Sequence, residues 1–158
     1  MTIAQVAEVE RVFAEASVFL QHIVDAADEL VVALPDKQYV TAGEAVHDCE
    51  QVVVTMTEVT SGLPGLPVQI IENCPLTWTM AAIVDIARCG PKPTSTGTIS
   101  ADKLTEAARV HSADAAVLMN AANRRLTEKF GGVGASIVFV IPEGGFIVTR
   151  MLVQVSVN

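Results

Sequence analysis

Three thiols and three imidazoles are the side chains of this 158-residue chain best suited to chemistry. They are Cys49, Cys74 and Cys89, and His22, His47 and His111. A thiolate metal site needs three or four ligands, usually with one close pair. Here the cysteines lie 25 residues (49 to 74) and 15 residues (74 to 89) apart, so no zinc site is expected. A nucleophilic cysteine needs a base and an electropositive setting. Cys49 stands between Asp48 and Glu50, whose charges disfavour a thiolate. Cys89 belongs to RCGPKPTSTG (88–97), where a strand-like run gives way to prolines, threonines, a serine and a glycine. Nothing near it in the sequence supplies a chemical partner, and both cysteines read as structural thiols. An odd number of cysteines without a CxxC pair points to free thiols in a reducing cytoplasm.

The histidines read as structural too. His47, Asp48 and Cys49 are adjacent, and neighbouring strand residues point to opposite faces, which is poor geometry for a triad. His111 is in register with a helical stripe and fits a boundary position. His22 falls late in the first helix, where a cation suits the dipole. The pairs Asp28-Glu29 and Glu8-Glu10 read as solvated charges. No GxxxxGK[ST], GxGxxG or GxSxG occurs. FGGVGAS (130–136) runs from helix to strand, whereas phosphate cradles run from strand to helix. No catalytic residue, cofactor or metal is expected.

Periodicity supplies the framework. Thr2–Ala26 reads as an amphipathic helix with Val6, Val9, Phe13, Ala16, Leu20 and Ile23 at helical spacing and a Thr2/Gln5 capping box. LVVAL (30–34) reads as a short strand closed by Pro35-Asp36, and 36–47 as a polar loop. Cys49–Val59 is rich in β-branched residues and reads as a strand. A long excursion with Pro64, Pro67 and Pro75 follows, within which VQII reads as edge pairing. Leu76–Arg88 alternates, with Trp78, Met80, Ala82, Val84 and Ile86 on one face. Ser100 caps a helix to about Lys129 whose stripe is Leu104, Ala108, Ala115, Leu118 and Ala122, closed by Gly131-Gly132. Ala135–Ile141 and Phe146–Val157 are strands around the turn Pro142–Gly145, the last with Ile147, Met151, Val153, Val155 and Val157 on one face. The expected fold is α+β: a mainly antiparallel sheet with two long helices packed on one face, in the order α-β-β-β-α-β-β, as one domain. Ile83, Leu152 and Phe146 fall on the second face, where a neighbouring subunit would explain them.

The chain is acidic, with a net charge of −8, and 51% of its residues are apolar. Its mean hydropathy is positive. No run reaches the roughly 18 apolar residues of a membrane span, so no membrane role is expected. MTIAQVAEVERVF carries charges in its first turns, unlike a targeting segment. The only basic cluster is Arg124-Arg125 with Lys129, which suits a helix C-terminus better than a phosphate surface.

Taken together, HDCEQVVVTMTEV, the strand ending RCGPKPTSTG before SADKLTEAARVHSADAAVLM, FGG, and PEGGFIVTRMLVQVSV resemble the tail terminator proteins of long-tailed (siphovirus) phages of actinobacteria. The resemblance covers about residues 46–157. It departs in the last strand, where an aromatic residue is expected after the glycine turn and only Phe146 is present. The resemblance implies a structural virion protein of the tail and neck, made in the host cytoplasm. Similar proteins form a hexameric ring on the tail tube protein, end tube polymerisation, and meet the head-tail connector or stopper protein. DNA passes through the ring without sequence-specific binding, and no catalysis or cofactor is implied. Candidate docking elements are the loops Thr60–Pro75, Pro91–Ile99 (Pro91, Lys92, Thr94, Ser95, Thr96) and Pro142–Gly145 (Glu143, Gly144, Gly145). A head-to-tail adaptor of the same neck is the nearest alternative. A small cytoplasmic enzyme with Cys89 as nucleophile is the alternative from another class.

Overall fold

A computed structural model describes residues 3–46, 48–61, 78–128, 133–140 and 145–157. Its elements are α1 (Ile3–Leu30), β1 (Lys37–Ala42), β2 (Gln51–Ser61), β3 (Trp78–Cys89), α2 (Ala101–Glu128), β4 (Val133–Val140) and β5 (Phe146–Val157). The strands form one sheet in the order β1-β2-β3-β5-β4. β1 and β2 are parallel, and the other three pairings are antiparallel. The fold is α+β in the element order read from the sequence.

Alternation along the strands sets the layers. Val52 and Val54 of β2, Met80 to Ile86 of β3 in steps of two, and Met151 to Val157 of β5 in steps of two share a face. They pack with Val12, Ala16, Phe19 and Ile23 of α1 and with Val117, Leu118, Ala121 and Ala122 of α2 in one core. Both helices therefore cover the same side of the sheet. Each fully buried aliphatic or aromatic side chain contributes roughly 1.5–3 kcal/mol to this layer. Ile83, Phe146 and Leu152 lie on the opposite face, as their strand parity requires, and Leu152 is 43% exposed.

Both helical seams run differently from the apolar stripes in the sequence. Phe13 and Leu104 are exposed, while Glu15, His22, Asp114 and Arg125 are buried. Polar partners fix the rotation. Arg125 is 1% exposed, and its Nε donates to the buried Glu15 carboxylate while an Nη donates to the Ser156 carbonyl at 2.8 Å. Arg124 reaches Glu29 on α1 and donates to Asn120 at 3.0 Å. The two arginines thus join α2 to α1 and β5, and Arg125 stands in the last turn of α2, where a cation suits the dipole. Lys129 lies outside the described residues. The half of α2 before Asp114 contains no fully buried residue. It is held by Ser100, whose side chain and carbonyl accept from Lys103 and Leu104, and by an exposed Glu106–Arg109 pair.

The first strand is the main correction to the sequence reading. LVVAL is not a strand. α1 continues to Leu30, which also leaves His22 well before its last turn, and ends with Val31 in the left-handed region (φ 55°). Val31 N–H donates to Asp28 O and Val32 N–H to Ala27 O, the paired bonds of a Schellman ending. The strand comes instead from KQYVTA, within the stretch expected to be a loop. It pairs parallel to β2, Lys37 opposite Gln51 and Ala42 opposite Met56. Parallel strands usually need a long crossover. Here the chain returns through residues 43–50, with left-handed residues at both ends, Gly43 (φ 88°) and Glu50 (φ 57°). The Thr2 cap, most of the 61–75 excursion with VQII, the Gly131-Gly132 helix stop and most of the Pro142–Gly145 turn lie outside the described residues.

Arg125→Ala removes the guanidinium that the buried Glu15 carboxylate faces. It is expected to lower the unfolding free energy by about 3–5 kcal/mol in urea titration. The double change Glu15→Leu, Arg125→Met is expected to recover most of that loss. Val31 is 90% exposed, so only its backbone angle matters. Val31→Gly is expected to stabilise the fold by about 1 kcal/mol in the same titration.

Candidate functional site

The β2–β3 ladder is registered from Ser61 opposite Trp78 to Gln51 opposite Ala87. Three more elements converge beyond that last pair. The chain enters from the return at Cys49 and Glu50, β3 ends in Arg88 and Cys89, and the first half of α2 passes alongside. They border a cleft of about 400 Å³ lined by Glu50, Arg88, Cys89, Pro91, Lys103 and His111, among others.

Arg88 organises this end of the sheet. Its Nε and Nη2 donate to the two Asp114 carboxylate oxygens at 2.7 and 2.6 Å. Nη2 also donates to the Ala33 carbonyl at 2.8 Å, beyond the end of α1. Glu50 stands 4.0 Å from the guanidinium on its other side. The hydrogen bond to Asp114 and the charges of Asp114 and Glu50 raise the Arg88 pKa further above its ordinary value, against the opposing effect of burial. The guanidinium is therefore a fixed cation linking α1, β3 and α2. His111 is half-buried beside it. Its Nδ1 shares a 2.6 Å hydrogen bond with Thr149 Oγ1, and its ring meets Phe139 edge-on at 5.8 Å. Burial lowers the His111 pKa from its ordinary value, with the Arg88 charge acting in the same direction and Asp114 opposing.

The two cysteines here are not free thiols. Cys49 and Cys89 form a disulfide, with Cα atoms 4.9 Å apart. Their numbers continue the ladder sum (51 and 87, then 49 and 89), so they are cross-strand neighbours past its end. Sequence spacing concealed this pairing, because 40 residues separate the two. Cys89 thus has a covalent partner in Cys49, and Glu50, Arg88 and His111 border the cleft that Cys89 lines. A bridge closing a loop of this length removes roughly 4 kcal/mol of entropy from the unfolded chain in the chain-entropy account. Cys74 and His47 lie outside the described residues.

The described docking residues gather at one end of the sheet. Pro91 lines the cleft, and Lys92, Thr94, Ser95 and Thr96 are exposed beyond it. The loop has internal structure. Thr94 N–H donates to Thr98 O at 2.8 Å and Gly97 N–H to Thr94 O at 2.9 Å, and the hydroxyls of Thr94, Thr96 and Thr98 form a mutual cluster. Gly145 is brought to the same place, because Gly90 N–H donates to its carbonyl at 2.6 Å. A Cβ at Gly90 would sit 2.9 Å from that oxygen, so only glycine permits the approach. Glu143 and Gly144 lie outside the described residues. The third loop leaves the sheet at Ser61 and returns at Trp78, at the opposite end.

The face of the sheet opposite the helices, which no described residue covers, forms the other candidate surface. Thr57, Ala81, Ile83, Ser136, Leu152 and Gln154 line a shallow concavity of about 520 Å³. A bulge at Thr57 marks its rim, where the register shifts between Met56 and Glu58 and Thr57 Oγ1 donates to the Ala81 carbonyl. Below it, Asp85 accepts two hydrogen bonds from Arg150 directly across the ladder at 2.7 and 2.8 Å. That contact with Asp85 raises the Arg150 pKa, against the effect of burial.

No group of three or more His, Cys, Asp or Glu suited to a metal ion occurs among the described residues. No described helix is long and apolar enough to cross a membrane. In comparison with known proteins, no family model and no curated sequence matches this chain.

Because the folded state disfavours the His111 cation, the unfolded chain takes up the proton first as pH falls below about 6.5. The His111 contribution is therefore complete above that pH and is lost as pH falls toward the lower folded value. Urea midpoints measured from pH 7.5 down to 5 are expected to decline, and His111→Gln is expected to flatten that part of the decline.

Proposed function

We propose that this chain is a ring-forming structural subunit of a phage neck, a tail terminator that caps the tail tube and joins it to the head. The observation that carries the reading is the bare sheet face. Among the described residues, helices cover one side only, while Ile83, Val138 and Leu152 stand on the other, with Val138 and Leu152 each 43% exposed. An apolar face of this kind fits a neighbour better than water. The strand ends that the candidate docking loops join, Ser61 and Trp78 on one side and Cys89 and Phe146 on the other, lie at opposite ends of the sheet, which suits a ring with one axial surface for the tube and one for the head. The heterologous contacts of a ring also need two different patches on each subunit. The −8 net charge suits a conduit through which DNA moves without adhering. The same features suit a neck adaptor, and the binding partner separates the two roles. Cys89, on which the enzyme alternative relies, is bonded to Cys49.

The test is native mass spectrometry at high protein concentration, negative-stain imaging of the same sample, and binding to purified tail tubes. The expected outcome is a closed six-fold ring, or a monomer that closes into one on tube tips. A protein that neither forms rings nor binds tubes or heads overturns the proposal. Deleting Thr94–Gly97 is expected to leave the subunit folded and to abolish tail–head joining.

A further inference from the structure

We infer that the Cys49–Cys89 disulfide is a thiol-exchange site, a reversible latch that sets how firmly the return 43–50 closes one wall of the cleft. Three observations support this. First, the bridge is reachable. Cys89 is exposed and Cys49 half-buried, so a small thiolate can approach the Cys89 sulfur without unfolding the chain. Second, the bridge lies outside the ladder it extends. The last registered pair is Gln51 with Ala87, and the left-handed Glu50 turns the chain out of strand geometry immediately before it. Third, the two sides of the bridge are anchored very differently. On the β3 side, Arg88 is clamped by Asp114 and the Ala33 carbonyl, and Gly90 is tied to Gly145. On the return side, Glu50 accepts from Cys89 N–H at 3.1 Å, and an exposed Lys37–Asp48 pair spans 3.6 Å. Val46 O also accepts from Gln51 at 3.0 Å and from Tyr39 at 3.4 Å. Apart from the one made by the buried Gln51, these are exposed side-chain contacts, which hold a segment weakly.

Opening is therefore one-sided. A low-molecular-weight dithiol supplies the electrons. Its thiolate attacks Cys89 Sγ, the sulfur–sulfur bond breaks, and Cys49 leaves as a thiolate that takes a proton from water. The second thiol of the reagent then attacks its own sulfur in the mixed disulfide and releases the Cys89 thiolate. The reagent ends as a cyclic disulfide, oxidised by two electrons, and the bridge is reduced by two. A low-molecular-weight disulfide reverses the sequence. In the open state only the Cys89 N–H and the Arg88 guanidinium hold Glu50 at the cleft, while the threonine loop and the strands keep their own hydrogen bonds. Such a latch reconciles a bridged structure with the reducing cytoplasm expected from the cysteine count, because closure then follows the redox state of the surroundings.

The test uses the full chain, oxidised and then treated with a mild dithiol without denaturant. Alkylation with peptide mapping reads Cys49 and Cys89 separately from Cys74, and amide exchange is followed in both states. Expected are no label at Cys49 or Cys89 before treatment and full label after it. Exchange at residues 44–50 is expected to rise about tenfold or more while residues 80–87 and 94–98 stay unchanged, and oxidised glutathione is expected to reverse both readouts. Labelling before any reduction overturns the inference. So does a bridge that opens only in denaturant, or an exchange pattern that is unchanged or altered throughout the sheet.

Discussion

The fold depends on one buried charge. Arg125 comes from α2, faces Glu15 on α1 and binds a carbonyl of β5, so a single guanidinium fixes both helices to the sheet. Removing two charges from water is costly unless their geometry compensates. A pair in this position contributes little net stability beyond what an apolar pair would, yet it specifies more. Apolar side chains tolerate small rotations of a helix, whereas a forked donor between a carboxylate and a carbonyl tolerates few. The displaced helical seams follow from this. Glu15 and Arg125 take inward positions, and the apolar residues beside them, such as Phe13, are turned outward.

Arg88 repeats the device at the edge of the molecule, joining Asp114 on α2 to the carbonyl beyond α1. The two arginines divide the work along α2. One locks its C-terminal half into the core. The other braces it at mid-length, beside the cleft and the threonine loop. The end of the sheet that carries two candidate docking loops is thus held by polar bonds and a disulfide, not by core packing.

Much of this was legible in the sequence, and the exceptions have physical causes. β2 to β5 announce themselves through β-branched alternation, and β5 has the boundaries that Phe146–Val157 implies. α2 begins where Ser100 can cap it. β1 was hidden because KQYVTA is short, half-exposed and parallel, so it lacks both a hairpin turn and a clean alternation. LVVAL misled because a β-branched residue is an unusual occupant of a left-handed helix ending. The disulfide was illegible because register, not spacing, brings Cys49 opposite Cys89. Asp114 and His111 gave no signal beyond being polar residues on an apolar stripe, which is also the signal of Arg125.

The division of α2 has a mechanical consequence. From Ala101 to about Val110 the helix stands on its own hydrogen bonds, its serine cap and good helix-forming residues. From Asp114 onward it is embedded. Such a helix resists load unequally. Tension applied through the threonine loop at Ser100 would unwind it turn by turn, each step small. Tension applied from Glu128 would meet the buried ion pair at once and yield only when the core yields. Placed in a chain of coupled subunits, this protein would be compliant at one end and brittle at the other.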